Sequence, residues 1–260
     1  MTTLSSRRLD TAALEEKVKA MYRDVATAPD GEFHFEMGRA LAERLGYAKN
    51  GLDSVPADAI RSFAGVGHYF DLAAPQRGET VVDLGSGSGM DSFIAALAVG
   101  PSGHVVGIDM TDEQLAKAER LATEGKFGHV SFQKSYIDAT KLGEGSCDLV
   151  ISNGVINLAP DKAAVFREAA RILKPGGRLA LADIVTDVQL PDGISCDATL
   201  WAACIGGAMQ EGAYLAAIEQ AGFHVVSHHA NTEYRFISSN ATKAAEKFGV
   251  KSISLLAVKT

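Results

Sequence analysis

The sequence predicts an α/β protein: a doubly wound sheet with an N-terminal helical cap and a helical insert before the last two strands. Three observations predict it. From Glu79 onward, short apolar runs alternate with stretches of helical period, the pattern of parallel strands joined by right-handed crossovers. The apolar runs are nearly continuous, as in strands covered on both faces. The first 75 or so residues carry helical periodicity and no strand signal. Residues 1–75 are therefore expected to form the cap and residues 76–260 the main unit, with 188–221 as the insert.

Thr11 to Tyr22 reads as an amphipathic helix, with Leu14, Val18, Met21 and Tyr22 on one face. "FHFEMGRALAERLGY", from Phe33, reads as a second helix closed by Gly46. "NGLDSVP" reads as a turn in which Asp53 or Ser54 can cap and Pro56 suits a first turn. A third helix is expected over Asp58 to Phe63, followed by the glycine-loosened connection "AGVGHYF". "ETVVDLG" is a strand, and "MDSFIAALAVG" a helix with Phe93, Ile94, Leu97 and Ala98 inward. "GHVVGIDM" is a strand, and the next helix starts at Thr111 as a cap. "HVSFQKS" and "CDLVISNGVI" are strands, "DKAAVFREAARILK" a helix, "PGG" a turn and "RLALADIV" a strand. Asp197 to Phe223 is helical with an interrupted middle. "HVVSHHANTEYRF" and "SISLLAVKT" are the last strands, with a short helix between.

The totals narrow the function classes. The 260 residues carry a net charge of -7, which argues against a nucleic-acid footprint. No apolar run approaches the roughly 20 residues that span a bilayer. The first 22 residues hold no signal-type apolar core, and three cysteines make no disulfide framework. The expectation is a cytoplasmic monomer or homodimer that acts on a small molecule, with no nucleic-acid or membrane partner.

The stretch "VVDLGSGSGMDSF" carries the chemistry. Ligands of open parallel sheets sit at the carboxyl ends of the strands, where strand order reverses. Gly85, Gly87 and Gly89 there permit positive φ and close backbone approach. The next strand ends in Asp109, 24 positions after Gly85, the spacing of a carboxylate that holds a ribose diol. The pattern is G-x-G-x-G, not the G-x-G-x-x-G of a dinucleotide fold, which weakens a nicotinamide-dependent dehydrogenase. Asp83 stands two residues before the loop, awkward beside a pyrophosphate and useful beside an ammonium or sulfonium. Together these point to S-adenosylmethionine.

The stretch Glu79 to Val185 resembles the class I S-adenosylmethionine-dependent methyltransferases. "DLGSGSG", "GIDM", "YIDAT", "SNGVINL" and "LKPGGRLALAD" carry the resemblance. It implies a Rossmann-like methyltransferase sheet. It also implies donor contacts from Asp83, Gly85, Ser86, Gly87, Gly89, Asp109, Met110 and Asn153, with Ile137 and Asp138 at the adenine. A narrower likeness covers most of Leu41 to Ala208. Through "ERLGY", "LDSVPADAIRSFAGVGHYFDLA", "GIDMTDEQLAKA" and "CIGGA" the chain is similar to bacterial arsenite methyltransferases. That family holds trivalent arsenic on three cysteine thiolates. Here Gly65 or Val66 and then Gly154 stand at two of those positions, and Cys204 alone matches. Cys196 is a poor substitute, because eight helical residues would put it about 12 Å from Cys204.

The expected function is methyl transfer by in-line displacement to a small sulfur, nitrogen or oxygen nucleophile. The leaving thioether is neutral, so positioning carries most of the catalysis. The alternatives are metalloid methylation through Cys204, and a donor-sensing protein without turnover. The acceptor pocket is expected to draw on the N-terminal helices, the "SNGVINL" loop and the insert. His68, Tyr69, Asn153 and Cys204 are the catalytic candidates, with Tyr22, His34, Asn157, Trp201 and Glu211 nearby.

Overall fold

The computed structural model describes residues 9–195, 201, 205–237 and 239–260. The cap is built from α1 (Thr11–Thr27), α2 (Arg39–Leu45), α3 (Lys49–Asp53), α4 (Ala57–Arg61) and α5 (Phe70–Ala73). The sheet and its layers follow as β1 (Thr80–Leu84), α6 (Met90–Val99), β2 (His104–Asp109), α7 (Asp112–Glu124), β3 (Val130–Lys134), β4 (Cys147–Asn153), α8 (Lys162–Ile172) and β5 (Leu173–Thr186). After these come a helical turn, α9 (Asp192–Ser195), then β6 (Met209–Gln210), α10 (Glu211–Gln220), β7 (Phe223–Ala230), α11 (Ser239–Phe248) and β8 (Lys251–Lys259).

The strands form one mixed sheet in the order β3-β2-β1-β4-β5-β8-β7, with β6 paired to β5. Pairs from β3 to β5 are parallel, while β8 runs antiparallel to both β5 and β7. The doubly wound sheet thus ends in an antiparallel pair. Side chains alternate across it with period two. On β1, Val81 packs with α6 residues such as Ala95 and Val99, and Val82 packs with Val165 and Phe166 of α8. A third apolar cluster joins the cap to α6 and α7 through Leu41, Leu52, Ile60, Phe63 and Phe93.

Several local expectations are corrected. The second helix covers only Arg39–Leu45, because Gly38 takes a φ of 83° before it. Phe33, His34 and Phe35 instead pack their rings against one another outside any helix. The expected turn at Asn50 is part of helix α3, and α4 ends at Arg61 rather than Phe63. On α6 the inward residues are Phe93, Ala95, Ala96 and Val99, whereas Leu97 is exposed. Apolar residues populate every side of this helix, so composition could not orient it. Thr111 precedes α7 without a side-chain cap bond; its N–H is held by Asp109 instead.

Behind β5, a fully buried pair links the layers: the Tyr214 hydroxyl donates to Asp183 Oδ2 at 2.8 Å. Burial pushes the Asp183 carboxyl up to about 6, and the bond from Tyr214 opposes it. Tyr214→Phe removes the donor and keeps the ring. It is expected to destabilise the fold by about 1–3 kcal/mol, as for a buried acceptor left unsatisfied, and chemical denaturation checks this.

Candidate functional site

Strand order reverses at β1, whose neighbours are β2 on one side and β4 on the other. The loops leaving β1 and β4 diverge there and open a crevice. A cavity of about 510 Å³ occupies it. Its wall takes the loop after β1, the ends of β2 and β4, Ser135 to Asp138, Leu158 to Pro160, one face of α1, and cap residues Ala59 and Ser62 to Gly65.

The loop after β1 is shaped by backbone geometry. Gly85, Gly87 and Gly89 have φ of 77°, 52° and 93°, values that side chains disfavour. A Cβ on Gly85 would stand 2.6 Å from Val155, and one on Gly89 2.8 Å from Phe132. Two of these glycines therefore also serve close packing against the protein itself. At Gly87 a Cβ would meet nothing nearer than Gln114 at 3.7 Å. Asp109 ties the loop to the end of β2: Gly87 N–H donates to Oδ2 at 2.9 Å and Thr111 N–H to Oδ1 at 2.8 Å. Burial raises its pKa and these bonds oppose the rise. Ser86, Met110, Ile137 and Asp138 line the same part of the wall. Ser86 Oγ is buried there with no hydrogen-bond partner among the described residues.

A second polar centre lies where β1, α6, β4 and the cap meet. Asp83 is buried and accepts from Ser92 Oγ at 2.6 Å. Burial first, and the nearby Asp91 charge second, push its carboxyl up to about 8. Asp91, in the first turn of α6, accepts from Tyr47 Oη at 2.7 Å, Tyr69 Oη at 2.8 Å and Asn153 Nδ2 at 3.1 Å. Burial raises its pKa against those donors. Asn153 accepts on Oδ1 from Val66 N–H at 2.8 Å and donates from Nδ2 to Gly67 O at 3.0 Å, which fastens the cap segment to β4. Asp91 was not among the sequence candidates. The available signal was a carboxylate set in an otherwise apolar helical run.

Helix α1 closes one side. Gln114 joins it to the glycine loop, accepting from Ser88 Oγ and donating to Tyr22 O. Tyr136 Oη donates to Glu15 at 2.7 Å, and Lys19 pairs with Glu15 at 2.5 Å. Tyr22 reaches the wall.

Other sequence candidates lie elsewhere. His68 is not part of the wall. Its ring packs edge-on against Tyr47, Nδ1 lies 3.4 Å from Asp71, and burial lowers its pKa. Tyr69 is fully buried and reaches the cavity only through Asp91. Trp201 is buried, donates to Ser195 O at 2.6 Å and lies beneath Lys162 Nζ. Glu211 pairs with Lys251 at 2.8 Å, and His34 and Asn157 are off the wall. Cys196 and Cys204 lie outside the described residues. Cys147 is buried at the start of β4, the far end from Asn153, and burial pushes its thiol up to about 12. Val66 and Gly154 are neighbours: a Cβ on Gly154 would stand 3.2 Å from Val66 Cγ1. Among the described residues, no group of three or more His, Cys, Asp or Glu could hold a metal ion. None of their helices is long and apolar enough to cross a membrane.

A methyltransferase-domain family model matches residues 75–222. The chain is 41% identical to an arsenite methyltransferase of Halobacterium salinarum over 71% of this chain and 47% of that protein. It is 40% identical to the Homo sapiens arsenite methyltransferase over 63% of this chain and 45% of that one. It thus spans about half the length of the curated relatives it matches. An arsenic(III) S-adenosylmethionine methyltransferase of Chlamydomonas reinhardtii superposes with a TM-score of 0.63 at 28% identity, over 86% of this chain and 74% of that chain. A geranyl diphosphate C-methyltransferase of Streptomyces coelicolor shares the fold, with a TM-score of 0.68 at 16% identity over 95% and 98% of the two chains.

Asp83 supplies a pH test. Its folded pKa of about 8 lies above its unfolded value of about 3.9. The folded protein holds that proton more tightly, so the stability this group contributes is complete below about pH 4 and is lost as pH rises through about 8. Asp83→Asn is expected to flatten the decline of Tm between pH 5 and pH 8, read by thermal denaturation of the ligand-free protein.

Proposed function

The chain belongs to the methyltransferase-domain family, with the class I S-adenosylmethionine-dependent fold and a close kinship to arsenite methyltransferases, and from that premise we propose that it transfers a methyl group from S-adenosylmethionine to a small-molecule nucleophile held in the cavity. The observation that carries the reading is the joint geometry of the glycine loop and Asp109 at the point where strand order reverses.

The wall suits the donor in several respects. Asp109 is already oriented by two backbone N–H groups, so its carboxylate can accept from sugar hydroxyls without reorganisation. Ile137 offers apolar surface to a base, and Asp138 an acceptor for an exocyclic amine. Asp83 and Asp91 would oppose the donor's positive charge, and a cation there draws the Asp83 carboxyl toward ionisation. When bound, the donor supplies a methyl carbon activated by a cationic sulfur. The protein's part is to hold the acceptor in line and to exclude water, which α1 and the cap segment pinned by Asn153 can do. Among the described residues the cavity wall holds no histidine, cysteine or lysine. That composition supports positioning rather than nucleophilic catalysis.

The names of the relatives favour a second reading, arsenite as acceptor. It requires converging thiolates, and no cysteine lines the described wall. The isopropyl group of Val66 sits against Gly154, at the positions where the resemblance places two thiols. A metalloid acceptor would therefore rest on Cys204.

Asp109→Ala is expected to weaken binding of S-adenosylhomocysteine at least tenfold by calorimetry while cooperative unfolding is retained; unchanged affinity would overturn the donor assignment. Incubation of a cell extract with isotopically labelled donor should yield a labelled small molecule. Arsenite methylation that disappears in Cys204→Ser would replace this acceptor reading with the metalloid one.

A further inference from the structure

Thr11, Ala12, Leu14, Glu15, Val18 and Tyr22 of α1 line the cavity. Their spacing of three and four puts them along one side of the helix. The two halves of α1 are held in different ways. Its C-terminal half is fastened by three donors to main-chain carbonyls. These are Gln114 Nε2 to Tyr22 O at 2.8 Å, Ser62 Oγ to Val25 O at 2.8 Å and Lys117 Nζ to Ala26 O at 3.1 Å. Val25, Ala26 and Ser62 are buried, and Lys117 Nζ also donates to Ser62 Oγ. The polar tie of the N-terminal half is an exposed trio. Tyr136 Oη donates to Glu15 Oε1 at 2.7 Å, and Lys19 Nζ donates to the same oxygen at 2.5 Å. Lys19 Nζ also reaches Tyr136 Oη at 3.3 Å and lies 5.3 Å from the centre of its ring.

The far side of this trio is fixed. Ser135 N–H donates to Asp109 O at 3.0 Å, Ala139 N–H to Tyr136 O at 3.1 Å and Ser135 Oγ to Ala139 O at 2.7 Å. The turn that carries Tyr136 is therefore built onto the end of β2, and it presents Ile137 and Asp138 to the cavity. The near side is lightly held. Tyr136 is 47% exposed, and exposed ion pairs and hydrogen bonds exchange readily with water. Glu15 stands about 16 Å along the helix from Ala26, at roughly 1.5 Å per residue. A small tilt about the fastened end is thus a large movement at Glu15. Leu14 and Val18, 2% and 4% exposed, favour the shut position, because tilting returns them to water.

Resting on the donor reading above, we infer that α1 is a hinged cover of the donor site, pivoting about its fastening to α4 and α7, and that the clasp of Glu15, Lys19 and Tyr136 sets how often it opens. The donor enters and the product leaves past the edge at Tyr136. Lys19 is off the cavity wall, so it is a positioning residue that acts through Glu15 and Tyr136. The bonds of the clasp run between protein groups and spend none of them on the ligand. Such a clasp holds the cover over the empty and the filled site alike. It slows entry and exit by the same factor and leaves affinity unchanged.

The test follows association and dissociation of S-adenosylhomocysteine by surface plasmon resonance, with the whole chain captured on the chip. Lys19→Ala is expected to raise both rate constants by roughly threefold or more and to keep their ratio within about twofold of the unaltered protein. Tyr136→Phe keeps the ring beside Ile137, removes the hydroxyl and should move both rates in the same direction. Faster release with unchanged association in Lys19→Ala overturns the inference, because it marks the trio as a support of the bound state and not a gate. Rates equal to those of the unaltered protein in both variants overturn it as well. Either result leaves the donor reading standing. Failure of S-adenosylhomocysteine to bind the unaltered protein defeats the donor reading and this inference with it.

Discussion

One buried carboxylate joins the parts that make the cavity. Asp91 sits on α6, takes phenolic donors from Tyr47 and Tyr69 of the cap, and takes an amide donor from Asn153 at the end of β4. An ionised group so enclosed is costly unless its lone pairs are met. The fold meets them only when cap, helix and strand are all in place. Asn153, which donates to Asp91, also accepts from Val66 N–H and donates to Gly67 O, and so sets the distance between that cap segment and the sheet. That distance is one dimension of the cavity.

Asp83 adds to the tension. It ends the buried run of β1 with one side-chain donor, Ser92, and with Asp91 as a neighbour. Two adjacent buried acids weaken an empty site, because the folded state disfavours their ionised forms. A cationic ligand relieves that strain. The charge of the wall follows from one arrangement: acids are concentrated where the strand order reverses, and among the described residues no Lys, Arg or His lines the wall to neutralise them.

Asp109 plays the complementary part on the other side of β1. Its carboxylate is gripped by the backbone of two loops, so it is both a structural tie and a preset acceptor. The glycines show the same double use. Positive φ at Gly85, Gly87 and Gly89 shapes the loop, while the missing side chains at Gly85 and Gly89 make room for Val155 and Phe132. A reading that assigns every glycine to the ligand overlooks half of what they do.

The alternation of apolar runs with helical stretches, the spacing from Gly85 to Asp109, and the acidic residue before the loop were all legible along the chain. They are local patterns, set by side-chain period and by the φ that glycine permits. Asp83, Ser86, Met110, Ile137 and Asp138 lie on the cavity wall for the same reason, since each is at the carboxyl end of a strand or in the segment just beyond it. What only the tertiary structure decided was where long-range partners meet. Leu97 faces out because packing, not composition, orients a helix that is apolar on every side. His68 and Tyr69 turn away from the cavity into contacts with Tyr47, Asp71 and Asp91. The role of Asp91 depends on residues 44, 22 and 62 positions away. No local period encodes such separations, because a buried charge is satisfied by whichever donors the folded chain brings to it.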